Sequence, residues 1–188
     1  MKVICISFEG SATAWGDEIE KPKRRRSHFP LAKKDLPMPD TTPLALTPEI
    51  SSLVNGALDA GQPLLLAVVD AGHKPILSFR GSTVVFSDTQ LSFWARNAEG
   101  GTLEAIRHNP YVALVYRSPT VPVLQFIGRA RITDDHDERD RAFALSNEKE
   151  QARDPERKGR AVIIDLDQVT GVLGFDNGAP IFCNMARS

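Results

Sequence analysis

The chain has 188 residues, 41% hydrophobic and 25% charged, enough for one domain with a sizeable core or one domain plus a tail. With 23 basic and 24 acidic residues the formal net charge is −1, so composition points neither to a nucleic-acid binder nor to an acidic solvating chain. Cys5 and Cys183 supply no disulfide framework and no zinc spacing, Leu64–Val69 is too short an apolar run to cross a bilayer, and Met1–Gly10 lacks the parts of a signal peptide.

These exclusions leave a soluble, cytoplasmic globular protein as the expectation. Residues 1–46 carry eight basic and six acidic side chains, and Pro22, Pro30, Pro37, Pro39 and Pro43 are scattered among them with no apolar period. Such a segment buries little surface and reads as a mostly disordered tail. Its basic run, Lys21–Arg26, reads as a solvated cluster rather than a nucleic-acid patch. Residues 47–188 read as one domain.

Order is expected from Thr47, a good N-cap, followed by Pro48 at the first helical position and Glu49 facing the helix dipole. Ile50, Leu53, Val54, Ala57 and Leu58 repeat at helical spacing, with Gly61 as the expected C-cap. Leu64–Asp70 is a β-rich apolar run and Ala71-Gly72-His73 a turn. In Pro75–Arg80, Ile76, Ser78 and Arg80 share one face and Leu77 and Phe79 the other. Thr83–Phe86 and Leu91–Ala95 read as a hairpin, Thr102–His108 as a short helix stopped by Asn109-Pro110, and Tyr111–Tyr116 and Val123–Thr133 as strands. Asp134–Lys149 reads as a helix, Gln151–Gly159 as a charged loop, and Ala161–Leu166 and Val169–Phe175 as closing strands. Short strands at hairpin spacing, with few helices placed for crossovers, predict a mainly β, α+β domain built on an antiparallel sheet or barrel.

The stretch from Ser78 to Pro110 carries the chemistry. Arg80 presents a permanently charged planar fork suited to phosphate, and Gly81 lets a backbone approach closely. Gly100-Gly101-Thr102 opens a helix whose unpaired amides and hydroxyl suit an anion. Taken alone, Thr102 is a helix cap and Arg80 a surface charge; an anion site requires that the two meet. Trp94 is placed either to stack on a ligand or to fill the core. Asp134–Glu138 reads as dipole-complementing acids rather than a metal site, and Arg153–Arg157 as a charged loop positioned to cover a site. His28, His73 and His108 show no ligand spacing, and no metal site is expected.

The runs Pro75–Gly81, Leu91–Asn97, Gly101–Pro110, Tyr111–Val115 and Phe126–Ile132, in this order, resemble pyridoxamine 5′-phosphate oxidase-like proteins over roughly residues 47–175. The resemblance implies an antiparallel split β-barrel with flanking helices that binds FMN at a homodimer interface. On it, Ser78 and Arg80 match the strand that meets the flavin phosphate. Phe93, Trp94 and Ala95 match the strand beside the isoalloxazine, and Arg96 and Asn97 the loop after it. Gly100, Gly101 and Thr102 match the phosphate-binding helix opening, and Gln125 a strand that reaches a flavin across the dimer.

Two departures qualify what it implies. Gly101 and Thr102 stand where the oxidase proper has basic residues, so phosphate holding falls to Arg80 and backbone amides. The C-terminal Asn184–Ser188 lacks the Arg- and Trp-containing segment that binds pyridoxal, which argues for another small-molecule substrate. The expectation is an FMN-dependent oxidoreductase with Arg96 as the candidate for steadying the reduced ring. The alternatives are an F420-dependent reductase and a non-catalytic flavin- or haem-binding module.

Overall fold

The computed structural model describes residues 40–187. Cys5, His28 and the basic run Lys21–Arg26 lie outside the described residues. The chain enters as a two-residue strand β1 (Thr42–Pro43) that pairs in parallel with the C-terminal strand. Leu44 and Leu46 then insert into the core, and their amides bond Ala186 O at 2.9 Å and Asp88 O at 2.7 Å. The ordered part therefore begins before Thr47. Two leucines at alternate positions bury enough apolar surface to tie down residues that the scattered prolines had assigned to the tail.

Helix α1 (Pro48–Asn55) starts as its sequence dictates: Thr47 Oγ1 accepts from Ile50 N at 3.3 Å, with Pro48 in the first turn. Ile50 and Val54 face the core. Regular helix ends at Asn55, and turns carry Ala57 inward until Gly61, at φ +71°, reverses the chain. Strands β2 (Leu64–Val69) and β3 (Pro75–Arg80) form a hairpin around Asp70, whose Oδ1 accepts from Gly72 N and Lys74 N. Next come the hairpin β4 (Val84–Ser87) and β5 (Gln90–Ala95), helix α2 (Gly101–His108), and strands β6 (Tyr111–Arg117) and β7 (Val123–Thr133).

The helix read as Asp134–Lys149 is two helices, α3 (His136–Leu145) and α4 (Glu148–Gln151). Asp135 caps the first and Asn147 the second, so the break at Ser146-Asn147 is a new N-terminus. The last strands also differ from expectation. Instead of two short strands, β8 (Arg160–Asp176) is a single 17-residue strand, and β9 (Ala179–Ala186) follows it. Asp167-Gln168 resembles a break in sequence, but the ladder to β7 skips only Asp167 as a bulge. Asn177 and Gly178, both at positive φ, make the tight β8–β9 turn.

The sheet is antiparallel except at β1, in the order β1-β9-β8-β7-β6-β2-β3, with β5 also pairing β8 and β4 pairing β5. Strand β8 is the hinge of this arrangement. One edge follows β7, while the other serves β5 at Arg160–Asp165 and β9 at Gln168–Asp176. The path from β4 through β5, β8, β7, β6 and β2 to β3 surrounds one core containing Leu64, Leu66, Phe93, Leu114, Phe126 and Ile164. It is not closed: β3 and β4 follow each other in the chain without pairing, and the split falls at Gly81–Thr83. A smaller cluster of Phe86, Trp94, Ala142, Phe143, Ala161 and Ile163 lies on the other face of β5, beneath α3.

Helix α3 is held to β7 by Glu138, which accepts from both Arg131 Nη atoms at 2.6 and 2.7 Å and from Thr133 Oγ1 at 2.6 Å. Hydrogen bonding from Arg131, then from Thr133, draws its pKa from 4.5 to about 2. A depressed carboxyl stabilises the fold above its unfolded pKa and loses that contribution as pH falls through the folded one. The acid limb of unfolding between pH 4.5 and about 2 should therefore flatten in Glu138→Gln. The contribution removed is about 1 kcal/mol once solvent screening of this partly exposed pair is counted. An unchanged limb would show the pair to be energetically silent. Leu46→Ala should cost about 2 kcal/mol and lower Tm by roughly 4–8 °C in thermal melts. An unaltered Tm would mean that residues 40–46 do not belong to the core.

Candidate functional site

Edge strand β3 places Ser78 and Arg80 on the face that turns toward the core, while Leu77 and Phe79 point outward. Arg80 reaches across the barrel mouth. Its Nη2 donates to Thr102 Oγ1 at 2.5 Å, and its guanidinium carbon lies 5.3 Å from the centroid of the Phe93 ring. The two places that the sequence could only hope to join are in contact. Arg80 Nε and Ser78 Oγ are both covered and have no hydrogen-bond partner. Covered donors left unpaired are costly, and they mark where an acceptor belongs. Burial, followed by the like charge of Arg96, pulls the Arg80 pKa below its ordinary value, although a guanidinium stays charged throughout the working range.

Helix α2 meets Arg80 with its N-terminus. Gly100 is the N-cap and offers no side chain, so the first-turn amides of Gly101 and Thr102 are uncapped. A Cβ at Gly101 would meet nothing within 4 Å, so the helix mouth is open. The arrangement brings a guanidinium against a hydroxyl at an uncapped helix N-terminus, with the covered Ser78 hydroxyl two residues before Arg80 on the same face of β3, groups whose donors suit a phosphate.

Arg80 also lines a cleft of about 560 Å³, together with Gly81, Trp94, Arg96, Asn97, Glu150 and Arg153. Pro63 and Phe79 join it to a more apolar hollow of about 490 Å³ against Leu65 and Val115. Arg96 and Asn97, in the loop after β5, line this cleft. Glu150 and Arg153 were missed as site residues. They come from α4 and the turn after it, and the only signal in the sequence was the charged loop reading of Arg153–Arg157. Arg96, the candidate for steadying a reduced ring, has its Nε 3.5 Å from Glu150 Oε2.

Four other expected residues are Phe93, Trp94, Ala95 and Gln125. Phe93 and Ala95 are buried in the main core, Phe93 beneath Arg80. Trp94 points the opposite way and is 3% exposed. Its ring packs edge-on to Phe143 with centroids 4.9 Å apart, and its Nε1 donates to Asp154 Oδ2 at 2.8 Å. Trp94 packs in the smaller core cluster and also lines the cleft beside Arg80 and Arg96. Its backbone is occupied too, since Ser82 Oγ bonds both Trp94 N and Trp94 O at 3.0 Å. Gln125 lies on the outer face in the cross-strand row Phe79, Leu65, Val115, Gln125, Thr170. The chain does not bring it to Arg80, which faces the core side of the sheet.

Asp154 fixes this end of β5. It accepts from Trp94 Nε1, Lys158 N and Gly159 N, and a Cβ at Gly159 would come within 2.5 Å of Ala95 O and Trp94 Nε1. Burial pushes the Asp154 carboxyl up, but these donors and the Lys158 charge together hold it below its ordinary value. Asp154→Ala leaves a buried indole N–H unpaired and should cost about 2 kcal/mol. It should also shift Trp94 fluorescence to the red in the folded state. Unchanged stability and emission would remove Asp154 from this role.

No family model matches the chain, and no curated protein matches it. Solved structures do. HupZ of Group A Streptococcus is 20% identical, with 72% of this chain and 98% of that chain covered and a TM-score of 0.52. A candidate pyridoxamine 5′-phosphate oxidase from Lactobacillus delbrueckii is 22% identical, with 70% of this chain and 98% of that chain covered at 0.52. A conserved hypothetical protein from Mycobacterium tuberculosis is 16% identical, covering 70% and 88% at 0.50. The chain has the α+β split-barrel fold of these proteins. Among the described residues no helix is long and apolar enough to cross a membrane, and no cluster of His, Cys, Asp and Glu could hold a metal ion.

Proposed function

We propose that the chain binds FMN as a homodimer and serves as a flavin-dependent oxidoreductase on a small molecule. One observation carries the reading: Arg80, covered and with Nε unpaired, touches Thr102 at an uncapped helix mouth. A phosphate monoester supplies the acceptors that Arg80 Nε, the Ser78 hydroxyl and the Gly101 and Thr102 amides lack. The cleft with its apolar extension has the size and mixed character of a small cofactor site. When bound, the flavin supplies hydride and electron transfer, and the chain supplies anchoring, orientation and charge.

A second copy of the chain is proposed because the outer face of β3, β2, β6 and β7 is apolar and open. Leu77 and Phe79 are 63% and 70% exposed, and Tyr111 and Val123 are exposed beside them. In register, these side chains continue through Ala67, Ala113, Val115 and Ile127, a face that pairing of two copies would bury. Gln125 lies on this face and would reach a flavin only across such an interface. Among the described residues, the cleft lining contains no histidine, cysteine or methionine to ligate a haem iron, which favours the phosphate-bearing ligand over haem.

Arg80→Ala should weaken FMN by about 10- to 100-fold while changing riboflavin, which has no phosphate, by less than about threefold. Flavin fluorescence titration reads both. Equal losses for the two ligands would count against Arg80 as the phosphate ligand. Turnover of a reduced nicotinamide with an electron acceptor would separate an enzyme from a carrier.

A further inference from the structure

The cleft holds one acid that phosphate binding does not use. Glu150, on α4, is buried, with its side chain 8% exposed. Its Oε1 accepts from Arg153 Nη1 at 2.6 Å, and its Oε2 lies 3.5 Å from Arg96 Nε. The carboxylate rests against the residue after Arg80, since a Cβ on Gly81 would come 3.0 Å from Glu150 Oε1. A carboxylate beside an anion site repels the anion, so its placement has a consequence for which anions enter.

The charges define that consequence. Arg80, Arg96 and Arg153 line the cleft and Glu150 is the one acid among its lining residues, giving a net charge of +2 from three guanidiniums and one carboxylate. A phosphate monoester carries about −1.5 to −2 at neutral pH, which matches that balance. A second phosphoryl group reaching from Arg80 past Gly81 into the cleft would meet Glu150, whose Oε1 lies against Gly81. It would find Arg96 and Arg153 already engaged and a carboxylate facing it. No ion pair joins Arg80 to Glu150: Arg80 Nη2 donates to Thr102 and its Nε is without a partner.

We propose that Glu150 is a specificity-determining residue. It is an internal anion that occupies the second half of a cationic cleft, so that the site admits a ligand ending in a single phosphate and rejects one bearing a diphosphate or another adjacent anion. The proposal rests on the phosphate reading of Arg80 and deepens it by naming the ligand class, a phosphomonoester.

The test measures inorganic phosphate and pyrophosphate binding by calorimetry at one ionic strength on the full chain. The wild type should bind pyrophosphate no more tightly than phosphate. Glu150→Gln, which keeps the shape and removes the charge, should tighten pyrophosphate about tenfold and phosphate by less than about threefold. Adding Arg96→Gln to Glu150→Gln should restore the wild-type ratio, because the freed guanidinium is what the second phosphoryl group uses. Arg153→Gln, which leaves Glu150 less neutralised, should move the ratio the other way and keeps the idea testable if Glu150→Gln does not fold. An unchanged ratio in Glu150→Gln, with phosphate still lost in Arg80→Ala, would overturn the Glu150 assignment alone. Phosphate binding that ignores Arg80→Ala, or no phosphate binding at all, would overturn the underlying site and this proposal with it.

Discussion

A guanidinium held under cover and only partly satisfied is the interaction on which this structure turns. Arg80 lies over Phe93, bonds Thr102 through one nitrogen and leaves Nε with nothing to donate to. Covering a permanent charge is unfavourable unless it is met by acceptors, and the neighbouring charge of Arg96 adds to the cost. The helix mouth at Gly100–Thr102 relieves it only at one nitrogen, through the Thr102 hydroxyl, because its free amides are donors. Arg80 Nε, the covered Ser78 hydroxyl and the uncapped amides of Gly101 and Thr102 are left without acceptors, and an anion with several acceptor oxygens answers them.

The barrel is the device that brings these donors together. Arg80 and Thr102 are 22 residues apart, and the connection runs through the β4–β5 hairpin before α2 returns to the mouth. Strand β8 holds β5 on one edge and β7 on the other, so the floor beneath Arg80 is fixed by a strand from the far end of the chain. The end of β5 is fixed again by Ser82 on the Trp94 backbone and by Asp154 on its indole. Phe93 and Trp94 point to opposite faces, one supporting the site and the other anchoring α3. The split between β3 and β4 leaves the cleft at the barrel's open seam, where Glu150 enters from α4 and Arg153 from the turn after it.

Much of this was legible in the residues. The alternation of Ser78 and Arg80 against Leu77 and Phe79, the Thr47-Pro48 helix start and the strand–helix order through β7 all follow from local periodicity and capping. Local pattern failed where a feature depended on tertiary pairing. The bulge at Asp167 looks like a break because bulge and loop share polar residues, and only the continuous ladder to β7 tells them apart. Strand β9 was missed although Asn177-Gly178 is a strong hairpin signal, because the residues after it carry few β-branched side chains. Leu44 and Leu46 were hidden by the prolines around them. Within the site, Arg80 and Thr102 could be nominated from sequence, whereas Glu150 could not: a glutamate in a charged helix reads as solvated until the fold shows it packed against Gly81.

The central claim is that Arg80 and the mouth of α2 hold a phosphate, and phosphorus NMR of added FMN addresses it most directly. A free phosphomonoester takes up its second proton near pH ~6, and its resonance moves as it does so. The account predicts a bound resonance displaced from that of free FMN and held in the dianionic form as pH falls to about 5, because the surrounding donors favour the charged state. A bound flavin whose phosphorus titrates like the free ligand would contradict it.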